Sequence, residues 1–211
     1  MPKDLNLYTI DEALSKVKKS SRTKFDATIE LHINLILDNE NIRFTTTPPH
    51  KIGKENIIAV LASKKIPEAD LELTEDDLSK IESGEIKPAQ DFDVFITEPK
   101  YMSKIAKVAK VLGPLGLMPN PKTGTVTEKV LEAVMQFKKG KVEIKTEKSQ
   151  PLIHTVVGKI SMDNKKIKDN IINILNALKH NKPKKFRPDW INKIYLTATM
   201  SPSFQIDPGQ I

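Results

Sequence analysis

The feature that most constrains the fold of this chain is a change in the spacing of its apolar residues. Along residues 28–37, positions 28, 30, 32 and 34 are polar and positions 29, 31, 33, 35 and 37 are apolar, and a half-buried pattern returns at 153–160 and 194–200. Such alternation is typical of strands that bury one face and expose the other. Over residues 57–145 the apolar residues instead form short continuous runs separated by helical patterns. This order predicts an outer unit, built from both ends of the chain, that is interrupted by an inner one.

The two units differ in predicted fold class. A capping box of Thr9 and Glu12 begins a helix in the outer unit, and residues 164–179 form a second, amphipathic helix beside the half-buried strands, which indicates an α+β unit. In the inner unit, buried strands alternate with helices, so we expect an α/β unit of three layers, with a parallel sheet covered on both faces. Its predicted strands are 57–61, 94–97 and 142–145, and its predicted helices are 75–82, 101–112 and 127–138.

The charge of the chain favours a polyanionic partner. Its 211 residues carry a net charge of +7. Residues 153–211 hold ten basic and four acidic side chains, whereas the rest of the chain is nearly balanced. An excess of positive charge in one segment suggests nucleic acid as the partner. The densest cluster is Lys179, Lys182, Lys184, Lys185 and Arg187.

Several other classes of protein are disfavoured. The chain has no cysteine, so disulfides and thiolate chemistry are excluded. No apolar stretch approaches the length of a membrane span, and the first residues lack the apolar run of a signal sequence. The four histidines lie in no spacing typical of a metal site, and no nucleophile–base or carboxylate pair is visible. We therefore expect a cytoplasmic protein that is not an enzyme and has no cofactor, metal or membrane partner.

A loop rich in glycine and proline occupies residues 111–127, which read VLGPLGLMPNPKTGTVT. Its prolines prevent a continuous helix and its glycines permit unusual backbone angles, so the loop has a defined shape. Gly116, Lys122 and Thr123 match the ends of a phosphate-binding GxxxxGK[ST] loop. Pro121 replaces the second glycine of that pattern and has no N–H for a phosphate. A nucleotide-dependent enzyme is therefore the weaker interpretation.

The loop closely resembles GPRGLMPNPKxGTVT, the signature of the bacterial-type large-subunit ribosomal protein L-one family. Four further blocks resemble that family and follow its order: KFDATIELH at 24–32, PHKIGK at 49–54, VGK at 157–159 and YLTATMSPS at 195–203. The resemblance spans nearly the whole chain. It implies a discontinuous α+β domain with an inserted Rossmann-like domain, which we assign to residues 1–50 with 153–211 and to residues 51–152.

The resemblance also implies a function. Proteins of this family are structural constituents of the large ribosomal subunit. They bind its rRNA, form the mobile stalk at the exit site and assist release of deacylated tRNA, and many bacterial members repress translation of their own mRNA. The implied partners are large-subunit rRNA, exit-site tRNA and the protein's own mRNA, with a monomer off the ribosome. A free-standing regulatory RNA-binding protein is the alternative.

The residues expected to carry this function are of three kinds. RNA contacts need hydroxyl and carboxylate groups for base edges and 2′-hydroxyls, lysines for phosphates, and apolar side chains that pack on sugars and bases. Two chain crossings between the domains predict a hinge at Gly53, Gln150 and Pro151. The predicted RNA-binding residues are Lys24, Phe25, Thr28, Glu30, Gly158, Lys159, Lys193, Thr199, Met200 and Ser201, and the signature-loop residues are Gly113, Pro114, Gly116, Met118, Pro119, Asn120, Pro121, Lys122, Gly124 and Thr125.

Three positions depart from the family pattern. Ser201 replaces a glycine, Ala27 a glutamate and Leu115 an arginine. We expect Ser201 to restrict the backbone turn and weaken the RNA contact, and Leu115 to alter a role of the inner domain.

Overall fold

The computed structural model describes residues 7–37, 41–53, 56–147, 150–182 and 189–210, so three members of the basic cluster, Lys184, Lys185 and Arg187, lie outside the described residues. The chain divides into an outer unit, Met1–Gly53 with Val142–Ile211, and an inner unit, Lys54–Lys141. Its helices and strands are α1 (Ile10–Ser20), β1 (Thr28–Leu35), β2 (Arg43–Thr46), β3 (Ile58–Leu61), β4 (Leu71–Glu72), α2 (Glu75–Ser83), β5 (Val94–Thr97), α3 (Met102–Ile105), α4 (Ala109–Leu112), α5 (Val130–Lys138), β6 (Val142–Lys145), β7 (Leu152–Lys159), α6 (Asn164–His180), β8 (Ile191–Ala198) and β9 (Phe204–Ile206).

A four-stranded antiparallel sheet in the order β7-β1-β8-β9 forms the centre of the outer unit. Buried and half-buried residues alternate along β1, as its sequence predicts. The buried residues pack with the apolar faces of α1 and α6 into one core, leaving mainly polar side chains on the other face of the sheet. The predicted capping box begins α1, where the Thr9 hydroxyl accepts a hydrogen bond from the Glu12 N–H and the Glu12 carboxylate accepts one from the Thr9 N–H. The mixed α+β class is confirmed.

The inner unit contains a parallel sheet in the order β4-β3-β5. All four residues of β3 are buried, and they alternate between two apolar clusters. Successive side chains of a strand point to opposite faces. Residues of α2 belong to one cluster and residues of α5 to the other, so helices cover both faces of this sheet. The short β4 has no counterpart in the sequence analysis, and the predicted helix at 101–112 is divided into α3, α4 and short 3-10 turns.

The helix α2 begins at a charged cap that stabilises its first turn. Asp77 accepts hydrogen bonds from the Lys80 ammonium at 2.7 Å and from the N–H and hydroxyl of Thr74 at 2.9 and 2.7 Å. Lys80 and then Thr74 lower the pKa of the Asp77 carboxyl to about 2. The ionised carboxylate also interacts favourably with the helix N-terminus.

The strand β6 lies in the outer unit, which corrects the prediction that residues 142–145 end the inner sheet. It pairs antiparallel with β2, placing Phe44 opposite Ile144, and both side chains are buried in the outer core. The chain therefore passes between the units after Gly53 and after Lys141, and not at the predicted residues 50 and 152. Gln150 and Pro151 lie within the outer unit between β6 and β7, so the second crossing predicted there is displaced. Apolar spacing identified the strand but not its distant partner.

Candidate nucleic-acid interface

Most of the predicted RNA-binding residues lie at one end of the outer sheet. At this end Thr28 of β1 pairs with Lys159, the last residue of β7, and Ile29 pairs with Ala198, the last residue of β8. The three strand ends therefore lie side by side. The residues at these ends, or in the loops that adjoin them, are called the strand-end cluster: Lys24, Phe25, Thr28, Lys159, Thr199, Met200 and Ser201.

A strained turn follows β8 in this cluster. The Ser201 N–H donates to the Ala198 carbonyl at 2.9 Å, which closes a β-turn. Met200 occupies the third position of that turn with a φ of 61°. A positive φ at this position normally selects glycine or asparagine, because other side chains collide with the backbone at a cost of about 1–2 kcal/mol. The Met200 side chain is 84% exposed, so burial of that side chain does not compensate the cost.

Phe25 presents a second exposed apolar side chain, in the loop that leads into β1. It is 56% exposed, and the loop that carries it is tied to the end of β7 by Asp26. The Asp26 carboxylate accepts hydrogen bonds from the hydroxyl and the N–H of Ser161 at 2.8 and 3.0 Å. These bonds, with the hydroxyl contributing most, lower the pKa of Asp26. Sequence reasoning missed Asp26 and Ser161 because 135 positions separate them, although Asp26 lies inside the KFDATIELH block.

Three of the predicted residues lie apart from the cluster. Lys193 pairs with Asn34 near the opposite end of β1. Gly158 is buried, and a Cβ added there would approach Ile167 and Met162 at 3.1 Å, so this glycine serves the packing of β7 on α6. Glu30 lies on the polar face of the sheet, one residue inward from the strand end on that face. The strand-end cluster is therefore smaller than the predicted set.

Two histidines form a hydrogen-bonded pair on the polar face of the outer sheet. His32 and His154 are opposite each other in register, and their Nδ1 atoms lie 2.6 Å apart. One ring must donate its proton and the other must accept it. Burial, and then the proximity of His154, lower the pKa of His32, while Glu30 at 3.7 Å from its Nε2 atom opposes them. Protonation of both rings would place two N–H groups against each other, so this face favours a pair that is not doubly charged.

The signature loop directs its polar groups inward. The Asn120 carbonyl accepts hydrogen bonds from the N–H groups of Thr123 and Thr125 at 3.2 and 3.3 Å and from their hydroxyls at 2.9 and 3.1 Å. The Lys122 N–H donates to the Asn120 side chain at 2.9 Å. The amides of Lys122 and Thr123, which match the end of the phosphate-binding pattern, are thus occupied and cannot cradle a phosphate.

The same loop extends the parallel sheet of the inner unit. Thr97 of β5 donates to the Thr125 carbonyl at 2.9 Å and accepts from the Thr127 N–H at 3.0 Å. Gly116 and Gly124 adopt positive φ angles of 73° and 75°, which explains two of the glycines in the signature. The loop is therefore built into the inner unit, and it belongs to a different unit from the strand-end cluster.

The three departures from the family pattern have distinct settings. Ala27 is fully buried in the outer unit, and Leu115 is exposed in the signature loop. Ser201 does not take the left-handed conformation, because Met200 and Ala89 are the non-glycine residues with positive φ in the described part of the chain. The expectation that a serine at 201 opposes the turn is therefore corrected.

The described residues contain no group of three or more His, Cys, Asp or Glu side chains placed to hold a metal ion. Within those same ranges, no helix combines the length and apolar character needed to cross a membrane.

Comparison with known proteins identifies the family of this chain and several relatives. Residues 17–202 match the Ribosomal protein L1p/L10e family. The chain is 41% identical to the large ribosomal subunit protein uL1 of Thermosipho africanus over 97% of this chain and 90% of that protein. It is 39% identical to the uL1 protein of Mesoplasma florum over 95% and 91% of the two chains. The corresponding values for Fervidobacterium nodosum uL1 are 41%, 95% and 88%.

Proposed function

Because this chain belongs to the Ribosomal protein L1p/L10e family, we propose that it is a structural constituent of the large ribosomal subunit in the cytoplasm and binds the rRNA of that subunit. The relatives named above are large-subunit proteins at about 40% identity over nearly the whole chain. The family is one of structural RNA-binding proteins, and the chain is accordingly not an enzyme.

The observation that carries the proposed RNA contact is the strand-end cluster. Phe25 and Met200 expose apolar surface that can pack on sugars and bases, which is how proteins read unpaired RNA. Thr28 and Thr199 supply hydroxyls, and Lys159 supplies a cation for phosphate. Glu30 then acts in specificity, accepting from 2′-hydroxyls or base amines. Lys193 and Gly158 lie apart from this cluster, and their RNA contacts remain sequence predictions.

Replacement of Phe25 tests the proposal in the intact protein. Burial of an aromatic side chain against RNA contributes about 1.5–3 kcal/mol, so Phe25→Ala should weaken binding to a large-subunit rRNA fragment by about 10- to 100-fold. Met135→Ala is the control, because Met135 is also an exposed apolar residue but lies on α5 of the inner unit. Equal affinities of the wild type and Phe25→Ala would refute the assignment of the surface.

Cosedimentation separates the ribosomal function from its alternative. A structural subunit protein should remain with large subunits through a high-salt wash, whereas a free-standing regulatory RNA-binding protein should be released. Nucleotide binding measured by calorimetry would instead revive the enzymatic interpretation, which the occupied amides of the signature loop disfavour.

The resemblance further supports a role in the exit-site stalk. We propose that the protein and its rRNA move together to assist release of deacylated tRNA, and that it also represses its own mRNA. Removal of the protein from ribosomes should slow tRNA release, and a reporter carrying the protein's own mRNA leader should respond to its overproduction. An unchanged release rate or an unresponsive reporter would reject the corresponding role.

We also propose that the inner unit moves as a rigid body. Two chain crossings join the units, and Gly53, with a φ of 78°, precedes the first of them. Glycine can absorb large backbone changes at such a position. Fluorophores placed in the two units should report a broad distribution of distances in the free protein, whereas a single narrow distance that RNA and salt leave unchanged would contradict the hinge.

A further inference from the structure

We infer that the Ser201 hydroxyl is a positioning group that holds Met200 in its left-handed conformation, ready to contact RNA. The inference rests on the proposed function, since it assigns Met200 to the RNA surface. The family pattern has a glycine at this position, and this chain has Ser201 instead.

The hydroxyl closes the turn through a bond that glycine cannot make. Ser201 Oγ accepts a hydrogen bond from the Ala198 N–H at 2.9 Å, in addition to the backbone bond from the Ser201 N–H to the Ala198 carbonyl. The two bonds join the same pair of residues across the turn. With both formed, Thr199 and Met200 are held between two fixed ends.

Neighbouring groups fasten both ends of the turn to the sheet. The Thr197 hydroxyl donates to the Ser201 carbonyl at 3.2 Å, and the Thr199 N–H donates to the Thr28 carbonyl at 3.0 Å. A residue in a sparsely populated backbone region persists only when its surroundings over-determine it. The Met200 side chain is too exposed for its packing to fix the backbone, so these hydrogen bonds hold the residue in its left-handed conformation.

The hydroxyl is poorly available for a direct contact with RNA. A serine hydroxyl has one donor and two acceptor sites. Its donor is directed at the Pro202 carbonyl at 3.3 Å, and one acceptor site takes the Ala198 N–H. The geometry therefore favours a role through Met200 over a contact of its own.

Exchange of the Ala198 amide proton tests the holding bond without RNA. Ser201→Ala removes the acceptor and should raise the exchange rate at Ala198 by about three- to tenfold while other strand amides stay unchanged. Ser203→Ala is the control, because the Ser203 hydroxyl makes no hydrogen bond among the described residues and lies in the same loop. Unchanged exchange at Ala198 in Ser201→Ala would overturn the inference.

Binding to the rRNA fragment tests the role in recognition. If Ser201 raises the population of the binding-competent turn, Ser201→Ala should weaken binding by about two- to tenfold. In a Met200→Gly background, glycine adopts the left-handed conformation unaided, so the same substitution should then have little effect. Equal losses in both backgrounds would mean that the hydroxyl contacts RNA directly, and no loss in either would mean that it has no role in binding.

Failure of the inference is distinguishable from failure of the proposed function. A wild-type protein that does not bind the rRNA fragment would refute the function. If the wild type binds, any one of three results would refute only the role of Ser201: unchanged exchange at Ala198, equal losses of affinity in both backgrounds, or no loss in either.

Discussion

Met200→Gly should leave the free protein at least as stable as the wild type and yet weaken its binding to rRNA. The left-handed conformation of Met200 costs about 1–2 kcal/mol, which glycine does not incur. Glycine gains conformational entropy in the unfolded chain, which offsets about 0.4–1 kcal/mol of that relief. The Met200 side chain is 84% exposed, so its removal forfeits almost no burial in the free protein. The net change in unfolding free energy should be a gain of about 0–1.5 kcal/mol.

The loss of affinity follows from the same side chain. A methionine that becomes fully buried against RNA contributes about 1.5–3 kcal/mol, so its removal should weaken binding by about 10- to 100-fold. Urea denaturation measures the stability, and titration of a labelled large-subunit rRNA fragment at one fixed salt concentration measures the affinity. The fixed salt matters because phosphate contacts make RNA affinity depend steeply on ionic strength.

Ala89→Gly is a matched control for strain relief. Ala89 is the other non-glycine residue with a positive φ, 71°, in the described part of the chain, and it lies in an exposed turn of the inner unit. This substitution should raise stability like Met200→Gly but leave RNA affinity unchanged. A fall in stability of more than about 1 kcal/mol in Met200→Gly would show that the turn is not strained. Unchanged affinity in that variant would show that Met200 does not touch the RNA.

Three further predictions concern stability. Protonation of His32 is disfavoured in the folded state, so this group's contribution to the unfolding free energy should be complete above its ordinary pKa of 6.5 and be lost as the pH falls below it. In denaturation from pH 8 to 5, the unfolding free energy of His32→Asn should depend less on pH than that of the wild type, and an identical slope would contradict the partial burial of His32. Asp77→Ala should destabilise the inner unit by about 1 kcal/mol at pH 7, and because the folded pKa is about 2, the difference from wild type should close as the pH falls from about 4 to 2. Asn170→Ala should lower the unfolding free energy by at least about 2 kcal/mol. The reason is that the fully buried Asn170 amide accepts a hydrogen bond from the His50 N–H at 3.0 Å and donates one to the His50 carbonyl at 3.1 Å. A loss below about 1 kcal/mol would mean that water replaces the amide.

Apolar spacing predicted most strands and helices because it reports which face of an element is buried. The alternation in β1 and the continuous burial of β3 both follow from it. Spacing does not report which strands pair. The structure therefore places β6 in the outer unit, although the sequence analysis assigned it to the inner one. Its partner β2 lies about a hundred residues away, and only the shared burial of Phe44 and Ile144 reveals the pairing. For the same reason, the second crossing was predicted near Pro151, whereas the chain crosses between the units after Lys141.

Residue types alone predicted part of the site, but strand register is needed to show which of the predicted residues lie together. The sequence blocks shared with the family identified Phe25 and Thr199, but they also included Gly158, where a side chain would point into the core. This happens because a block contains residues from both faces of a strand. Register removes that ambiguity: the Thr199 N–H donates to the Thr28 carbonyl across 171 positions of sequence, which joins the two halves of the site. The backbone strain at Met200 leaves no mark in composition or spacing. It arises because the turn that ends β8 requires a positive φ at a position where this chain carries a large exposed side chain, and that conflict between local preference and fold is what points to function there.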